Sequence, residues 1–530
     1  MTAGIAESQV SQQWVQRYTS DSTRDESVND MFVDSQGNVY ITGSQRSRSG
    51  AAQEIEALTV KYNSQGVQQW IQNYRAPGNN GAFSRAVHVD ATGNVYVTGE
   101  NALFSGGANE MLVIKYSPSG TQLWANRFQY ITSTYAGGYD IITDADGNVY
   151  VTGEYGNTFS NIFLVKYGPS GNLINQTFYN SASEGGRKIG MDGSGKIIIG
   201  GYINDNDSLS FIALKYEQNL DFVWAARWGR GIGNQNPIDM AVDINSNIII
   251  TGTSGINVDY ATVKIDPAGN VLWGNLYNSA GGTDLGRAVA TDHLGNVYVT
   301  GQTGVNGFPL TNRYTTIKYN GNGIQQWAED YGGSGAEDGY SAYDIAVDDS
   351  SNLYVTGGTY NNSDISTVKY NSSGIFKWET IYNGTGNGAD RGITVGLDNS
   401  GNVYVSGNSF GGSTGNDIVT IKYSQVPIGI NNISEQVPEG FSLSQNYPNP
   451  FNPSTKIRFE IKTEKNGGSS GVRLIVYDTQ GREVAELLNG NLSPGTYEVS
   501  FEAVNLSSGI YFYKLEADGF SDTKKMMLIR

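Results

Sequence analysis

Four aspartates, Asp30, Asp140, Asp239 and Asp344, stand at one offset, four residues before a recurring Asp-containing turn. They alternate with copies that carry an arginine one position earlier, Arg85, Arg187 and Arg287. Carboxylates converging from separate segments can hold Ca2+, which takes about six to eight oxygen ligands. Interleaved carboxylates and guanidiniums can equally form a belt of Asp–Arg pairs that needs no ligand. Both readings stay open: a metal site at Asp30, Asp140, Asp239 and Asp344, or ion pairs between neighbouring units.

Other chemistries find little support. The chain has no cysteine, which rules out disulfides, Cys-ligated zinc and thiol catalysis. Its two histidines, His88 and His293, fall in a strand pattern and a turn and suggest packing or surface roles. No Ser/His/Asp arrangement is visible. The segment Asp144-Ala145-Asp146-Gly147-Asn148 looks like half a calcium loop but lacks the later ligands and the closing Glu. Asn204-Asp205-Asn206-Asp207 reads as a loop tip, either solvated or a weak cation site. Glu337 and Asp338 are a carboxylate pair of the kind a glycosidase or polysaccharide lyase uses. No catalytic or cofactor-binding residue is assigned, and the chain is expected not to be an enzyme.

The elements that position these residues form a repeat. Gly93-Asn94-Val95-Tyr96-Val97-Thr98-Gly99 recurs, with variation, in eight copies about 50 residues apart, the signature of a repeat architecture. Each copy holds an apolar run ending in Asp, a tight turn and a Val-Tyr-Val-Thr strand. After a variable loop come a third strand ending in Lys-Tyr, a second turn and a fourth strand with Trp four residues before an aromatic. One copy has Ile174 in place of the Trp. Four short antiparallel strands per unit make a propeller blade. A Lys and a turn Asp repeated eight times are structural, since catalysis needs neither eightfold. The eighth copy stops after its third strand, and the missing fourth lies at Gln13–Tyr18. The expected fold is all-β: an eight-bladed β-propeller over 10–424 closed by the N-terminal strand, after an extension 1–9. A linker 425–440 then leads to a small Ig-like β-sandwich over 441–530. The second-to-third-strand loops and the connections between units vary most. In a propeller both lie on one face, which marks it as the binding face.

These units resemble the bacterial β-propeller repeat family with a D-x-x-G-N-x-Y-x-T-G core. They are distantly similar to the Trp-containing repeats of eight-bladed quinoprotein dehydrogenases, whose cofactor-clamping disulfide is impossible here. The turn at Ser117–Trp124 lacks the Asp of a sialidase box. The C-terminal unit carries Asn446-Tyr447-Pro448-Asn449-Pro450-Phe451-Asn452-Pro453, then Val476-Tyr477-Asp478, Gly481-Arg482, Pro494-Gly495-Thr496-Tyr497 and Lys524–Arg530. It resembles the type A C-terminal sorting domain of type IX secretion substrates of Bacteroidetes and their relatives. That resemblance implies export, a partnership with the type IX machinery through 441–530, and an extracellular or outer-surface location on a Gram-negative bacterium.

A formal net charge of −17 argues against nucleic acid and anionic membranes. No stretch approaches the roughly 20 apolar residues of a membrane helix. The expected role is non-enzymatic binding, adhesion or matrix building, with an unidentified glycan or protein ligand. A self-assembling homo-oligomeric subunit is the first alternative, and a polysaccharide-active hydrolase or lyase the second. No cofactor is expected beyond the Ca2+ reading.

Overall fold

The computed structural model describes residues 8–529 apart from 21–23, 48–54, 77–80, 103–108, 130–134, 158–159, 182, 206–207, 230–235, 255–258, 280–282, 306–310, 333–339, 360–363, 428–429, 435–436, 464–469 and 504–505. Among the described residues the chain is all-β save for one 3-10 turn at Gly412–Thr414, and its strands form ten four-stranded sheets. Seven are runs of four consecutive antiparallel strands: sheets 1 (24–74), 2 (81–128), 3 (135–179), 4 (183–228), 5 (236–277), 6 (285–331) and 7 (340–382). Sheet 8 joins Asp390–Leu397, Val403–Phe410 and Asn416–Pro427 to the N-terminal strand Ser8–Tyr18, which pairs antiparallel with Asn416–Pro427.

The apolar clusters lie between sheets rather than within them. One joins Tyr40 and Trp70 of sheet 1 to Val87, Val95 and Ile114 of sheet 2, and another joins Val28 and Ile41 of sheet 1 to Tyr404 and Ile418 of sheet 8. The first strand of each sheet touches that of the next, and sheet 8 touches sheet 1.

A repeated latch fastens the outer side. In sheet 2, Trp124 Nε1 and Lys115 Nζ both donate to the Pro169 carbonyl in the turn of sheet 3, at 3.1 Å each. Gly171 of that turn has φ +84°, and a methyl on it would strike the Trp124 indole. Trp70 with Lys61 on Pro118, and Trp224 with Lys215 on Pro267, repeat the arrangement. At the closure Trp14 and Lys422 both donate to Ser64, so the two ends of the repeat region are tied to sheet 1 by the same device.

Two exceptions follow from the geometry. The sequence suggests Ile174 in place of the Trp in sheet 3, but the register sets Asn175 opposite Lys166, where Trp124 stands opposite Lys115 in sheet 2, because the turn at 168–172 fixes the strand one residue later. Asn175 Nδ2 donates to the Asn219 carbonyl of the sheet 4 turn, and that turn has Leu220, buried at φ +73°, where the other turns have glycine. With no indole above it, that position has room for a side chain. Trp378 of sheet 7 has a buried Nε1 without a partner. Its neighbour, sheet 8, has no turn between third and fourth strands, because these come from opposite ends of the chain.

The C-terminal unit has two sheets, Ile430–Ser434, Gly495–Glu502, Ser454–Ile461 and Ser442–Leu443 in that order, and Glu483–Leu492, Ser470–Tyr477, Gly509–Ala517 and Phe520–Leu528. They share a core that includes Phe451, Phe459, Leu474, Tyr497, Tyr513 and Leu528. The segment expected as a linker, 425–440, supplies strand at both ends: Asn416–Pro427 runs into it, and Ile430–Ser434 pairs with Gly495–Glu502. Its Pro and Gly residues mask that pairing in sequence. The Tyr447–Pro448 and Asn449–Pro450 bonds are cis. The Asn-Tyr-Pro-Asn-Pro-Phe segment is bound to the last strand, with Met527 N–H donating to Asn449 Oδ1 at 2.9 Å and Phe451 bridging Leu528.

The latch predicts unequal costs along one repeat position. Trp70→Ala, which empties an inter-sheet site, should lower stability by about 3–5 kcal/mol. Asn175→Ala, at the equivalent position of sheet 3, which is exposed, should change it by about 0.5 kcal/mol. Chemical denaturation of both variants checks this, and equal losses would contradict the latch.

Candidate functional site

The first strands of sheets 1 to 8 touch one another in a closed succession, whose inner side we call the channel, and a β-bulge falls at one height in each, a level we call its mouth. In every sheet one first-strand residue is left unpaired between two ladder partners: Asn29, Arg85, Tyr139, Arg187, Ile238, Arg287, Tyr343 and Ile393. A bulge bends its strand and re-aims a side chain. It also presses a carbonyl against the second strand. A methyl on Gly99 would fall on the Phe83 carbonyl oxygen, and the closing glycines at 43, 153, 201, 301, 357 and 407 face the equivalent oxygen. The closing glycine within the second strand is thus the partner of the bulge.

The residue after each bulge forms a second ring, Asp30, Ala86, Asp140, Lys188, Asp239, Ala288, Asp344 and Thr394. Among the described residues its four aspartates neither converge as three or more metal ligands nor pair with arginines. Each clips its sheet to the next: Asp30 accepts from Val87 N–H, Asp140 from Ile189 N–H and Asp239 from Val289 N–H, all at 2.9 Å, and Asp344 accepts from Val395 N–H at 2.8 Å. Among the described residues no three His, Asp or Glu side chains converge where they could hold a metal. The arginines pair elsewhere, Arg85 with Glu100 and Arg187 with Glu154, each at 3.0 Å.

The aspartates share one cation. Lys188 lies 3.5 Å from Asp239, keeps 42 % of its side chain exposed in the channel, and has its pKa raised first by Asp239 and then by Asp140, Asp30 and Asp344. Burial pushes Asp30 up to about 7, against the pull of Lys188 and the Val87 N–H, and pushes Asp344 up to about 6. Asp140 is raised for the same reason.

Above this ring a cavity of about 650 Å3 opens across sheets 1 to 5, lined by Ser27, Asn29, Phe83, Arg85, Glu100, Tyr139, Arg187 and Lys188 among others. Arg85 and Arg187 stack on the Tyr139 ring, each 4.5 Å from its centroid. A similar stack across the ring joins Tyr343 to the bulge residue Arg287 at 4.8 Å and to Arg391, two residues before the sheet 8 bulge, at 5.3 Å. The arginines Arg85, Arg187 and Arg287 are legible from their offset. Tyr139 and Tyr343 hold the same offset, five before the turn Asp, and are found by counting it in every copy.

The remaining sequence candidates fall into structural places. Asp144 accepts from Asp146 N–H, Asn148 N–H and Nδ2, and Tyr150 OH, as Asp90 does in its own turn, so the half calcium loop is the common turn. His88 packs edge-on to Phe32 and lies 3.0 Å from Thr143 Oγ1, and burial pushes its pKa down to about 4. His293 is exposed in a turn. Asn206, Asp207, Glu337 and Asp338 lie outside the described residues.

Comparison with known proteins adds two family matches. Residues 445–529 match the secretion system C-terminal sorting domain, and residues 273–309 match a β-propeller repeat. An uncharacterized WD repeat-containing protein of Acanthamoeba polyphaga mimivirus is 25 % identical over 427 residues, covering 65 % of this chain and 29 % of that relative, so the chain spans less than a third of its length. A protein of unknown function from Dyadobacter fermentans DSM 18053 is similar at TM-score 0.38 and 9 % identity, over 78 % of this chain and 99 % of that one. The β-propeller domain of the Trilobed protease from Pyrococcus furiosus, described as having an open velcro topology, is similar at TM-score 0.36 and 8 % identity, over 78 % and 98 %. The sorting domain implies export to the cell surface or extracellular space. No helix among the described residues is long and apolar enough to cross a membrane.

Asp30, Asp140 and Asp344 give stability an unusual pH slope. A carboxyl whose folded pKa is raised holds its proton in the folded state after the unfolded chain has lost it, so its contribution falls as pH rises from about 4 to about 7. The turn aspartates act oppositely. Against the cost of burial, hydrogen bonds from Asn94, Thr92 and Tyr96 hold Asp90 down at about 2, so its contribution is full above about pH 4 and is lost toward pH 2. Asp30→Asn should therefore flatten the decline between about pH 4 and 7 and leave the acid limb intact. Denaturant unfolding across that range measures both limbs, and an unchanged slope would remove Asp30 from this role.

Proposed function

We propose that this chain, which carries a β-propeller repeat and a secretion sorting domain, is an exported surface protein that binds its ligand at the mouth of the central channel, without catalysis. In this reading the eight sheets are the blades of an eight-bladed β-propeller closed by the N-terminal strand. The C-terminal pair of sheets is an Ig-like sandwich that engages the type IX secretion machinery of a Gram-negative cell.

The observation that carries the reading is a contrast within the repeat. The turn Asp, the Lys, the closing glycine and, in most copies, the Trp stay the same, whereas the eight bulge residues differ among Asn, Arg, Tyr and Ile. The repeat holds a backbone position and frees its side chain. That is how a rigid scaffold builds a recognition surface. The cavity beside it combines an aromatic face at Phe83, hydroxyls at Ser27, Ser44 and Ser84, and cations at Arg85, Arg187 and Lys188. This mixture suits a sugar or polar peptide ligand.

One observation favours self-assembly as the second reading. The fourth strands expose large apolar side chains along the outer rim, among them Phe222 at 53 % and Leu272 at 51 %. Such residues on edge strands can pair with other chains.

A glycan and peptide screen of the intact chain, followed by two variants, separates the readings. Phe83→Ala should weaken the selected ligand at least about 10-fold, and Leu272→Ser should leave it unchanged. Loss of regular assemblies in Leu272→Ser, with no ligand sensitive to Phe83→Ala, would overturn the binding reading.

A further inference from the structure

The two arginine–tyrosine–arginine stacks occupy opposite sectors of the mouth, yet only one is neutralised. In sheets 2 to 4, the residue following the closing glycine is Glu100 in one sheet and Glu154 in the next, and these carboxylates take Arg85 and Arg187. In sheets 6 and 7 the same position holds Gln302 and Gly358. The Gln302 side chain accepts from Ser341 Oγ at 2.7 Å, and Arg391 passes over Gly358, its Cγ 3.6 Å from where a Cβ would stand. Arg287 and Arg391 form no ion pair among the described residues. Arg287 Nε is buried without a hydrogen-bond partner. The aspartates next in sequence are committed: Asp344 accepts from Val395 and Ile345 N–H, and Asp390 from Gly384 and Phe410 N–H.

Resting on the mouth-binding reading, we infer that the Arg287–Tyr343–Arg391 sector is a subsite for the carboxylates of an acidic polysaccharide. Two guanidiniums on one tyrosine ring present forked donors that match carboxylate oxygens. With Arg287 and Arg391 both over it, the ring is not free to hold an apolar side chain of a peptide. The neutral groups beside them, Gln302 and Ser341, offer donors and acceptors to sugar hydroxyls. A chain of net charge −17 repels polyanions at long range, so such a ligand is held by local contacts rather than by the overall field.

The test uses the intact chain and isothermal calorimetry with polygalacturonate oligomers, their methyl-esterified neutral forms and an acidic peptide. The uronate oligomer should bind, and esterification should weaken it at least about 10-fold. Arg391→Gln should do the same. Gly358→Glu installs the carboxylate that the other stack already has. Its Cβ would meet only ordinary contacts of 3.5 Å and beyond, so the variant should fold and lose the uronate. Thermal unfolding of each variant confirms folding. Uronate binding indifferent to both substitutions, or to esterification, would overturn the subsite. So would Arg391-dependent binding of the peptide alone. Binding of a neutral glycan that is lost in Phe83→Ala, with no uronate binding, would overturn the subsite and leave the mouth reading standing. No ligand dependent on any mouth residue would overturn both.

Discussion

Each four-stranded sheet of the repeat region has two apolar faces and can cover neither by itself. Burial comes only from its neighbours, as the cluster spanning Tyr40, Trp70, Val87 and Ile114 makes plain. That constraint forces the sheets into succession and leaves the first and last without cover unless they meet. Ser8–Tyr18 meets it by completing sheet 8, and Trp14 and Lys422 then latch onto Ser64 as any interior pair would. Since most stabilisation is removal of apolar area from water, at about 25 cal/mol per Å2, an open face would be the costliest defect the fold could carry.

Two polar devices set the spacing that this burial leaves free. On the outside the indole and ammonium share a single carbonyl of the next turn, and the glycine beneath the indole is the only residue that fits. Where the indole is missing, at Asn175, the glycine is missing too and Leu220 takes the space. On the channel side an aspartate in every second sheet reaches the N–H that follows the next sheet's ring position. The sheets are therefore clipped in pairs within a ring that the latch treats as nearly uniform.

The channel shows how one backbone irregularity carries both stability and recognition. The bulge supplies a position whose side chain is freed from the ladder and turned toward the mouth, and the residue beneath it is free to clip or to neutralise. Burial raises Asp30, Asp140 and Asp344, and the nearby carboxylates, Asp239 first, raise Lys188, so charge below the mouth is largely settled internally. Above it the two arginine–tyrosine stacks are distinguished by the residue after the closing glycine, Glu in one and Gln or Gly in the other. That single position decides whether a guanidinium is spent within the protein or left for a ligand.

The repeat was legible in the sequence because it rests on local rules. Turn chemistry at Asp90–Asn94, alternation in Val95–Gly99 and the displaced copy at Gln13–Tyr18 specify strands, their order and the closing pair. In the C-terminal unit the alternating runs 456–461, 472–477, 495–501, 509–515 and 523–529 mark strands in the same way. Glu483–Leu492 and Ile430–Ser434 are not so marked, because their alternation is weak and their pairing partners lie far along the chain. The roles of the channel residues also escaped a linear reading. The offset of Asp30, Asp140, Asp239 and Asp344 was visible, but an offset alone does not say whether a carboxylate meets a metal, an arginine or a backbone N–H. The bulge decides this: one extra residue brings the aspartate within reach of the next sheet's backbone and turns the arginines away toward Glu100, Glu154 and the tyrosine rings. Local propensity encodes the strands, whereas the fate of each charge depends on which groups from other sheets stand within hydrogen-bond reach, and only the assembled ring determines that.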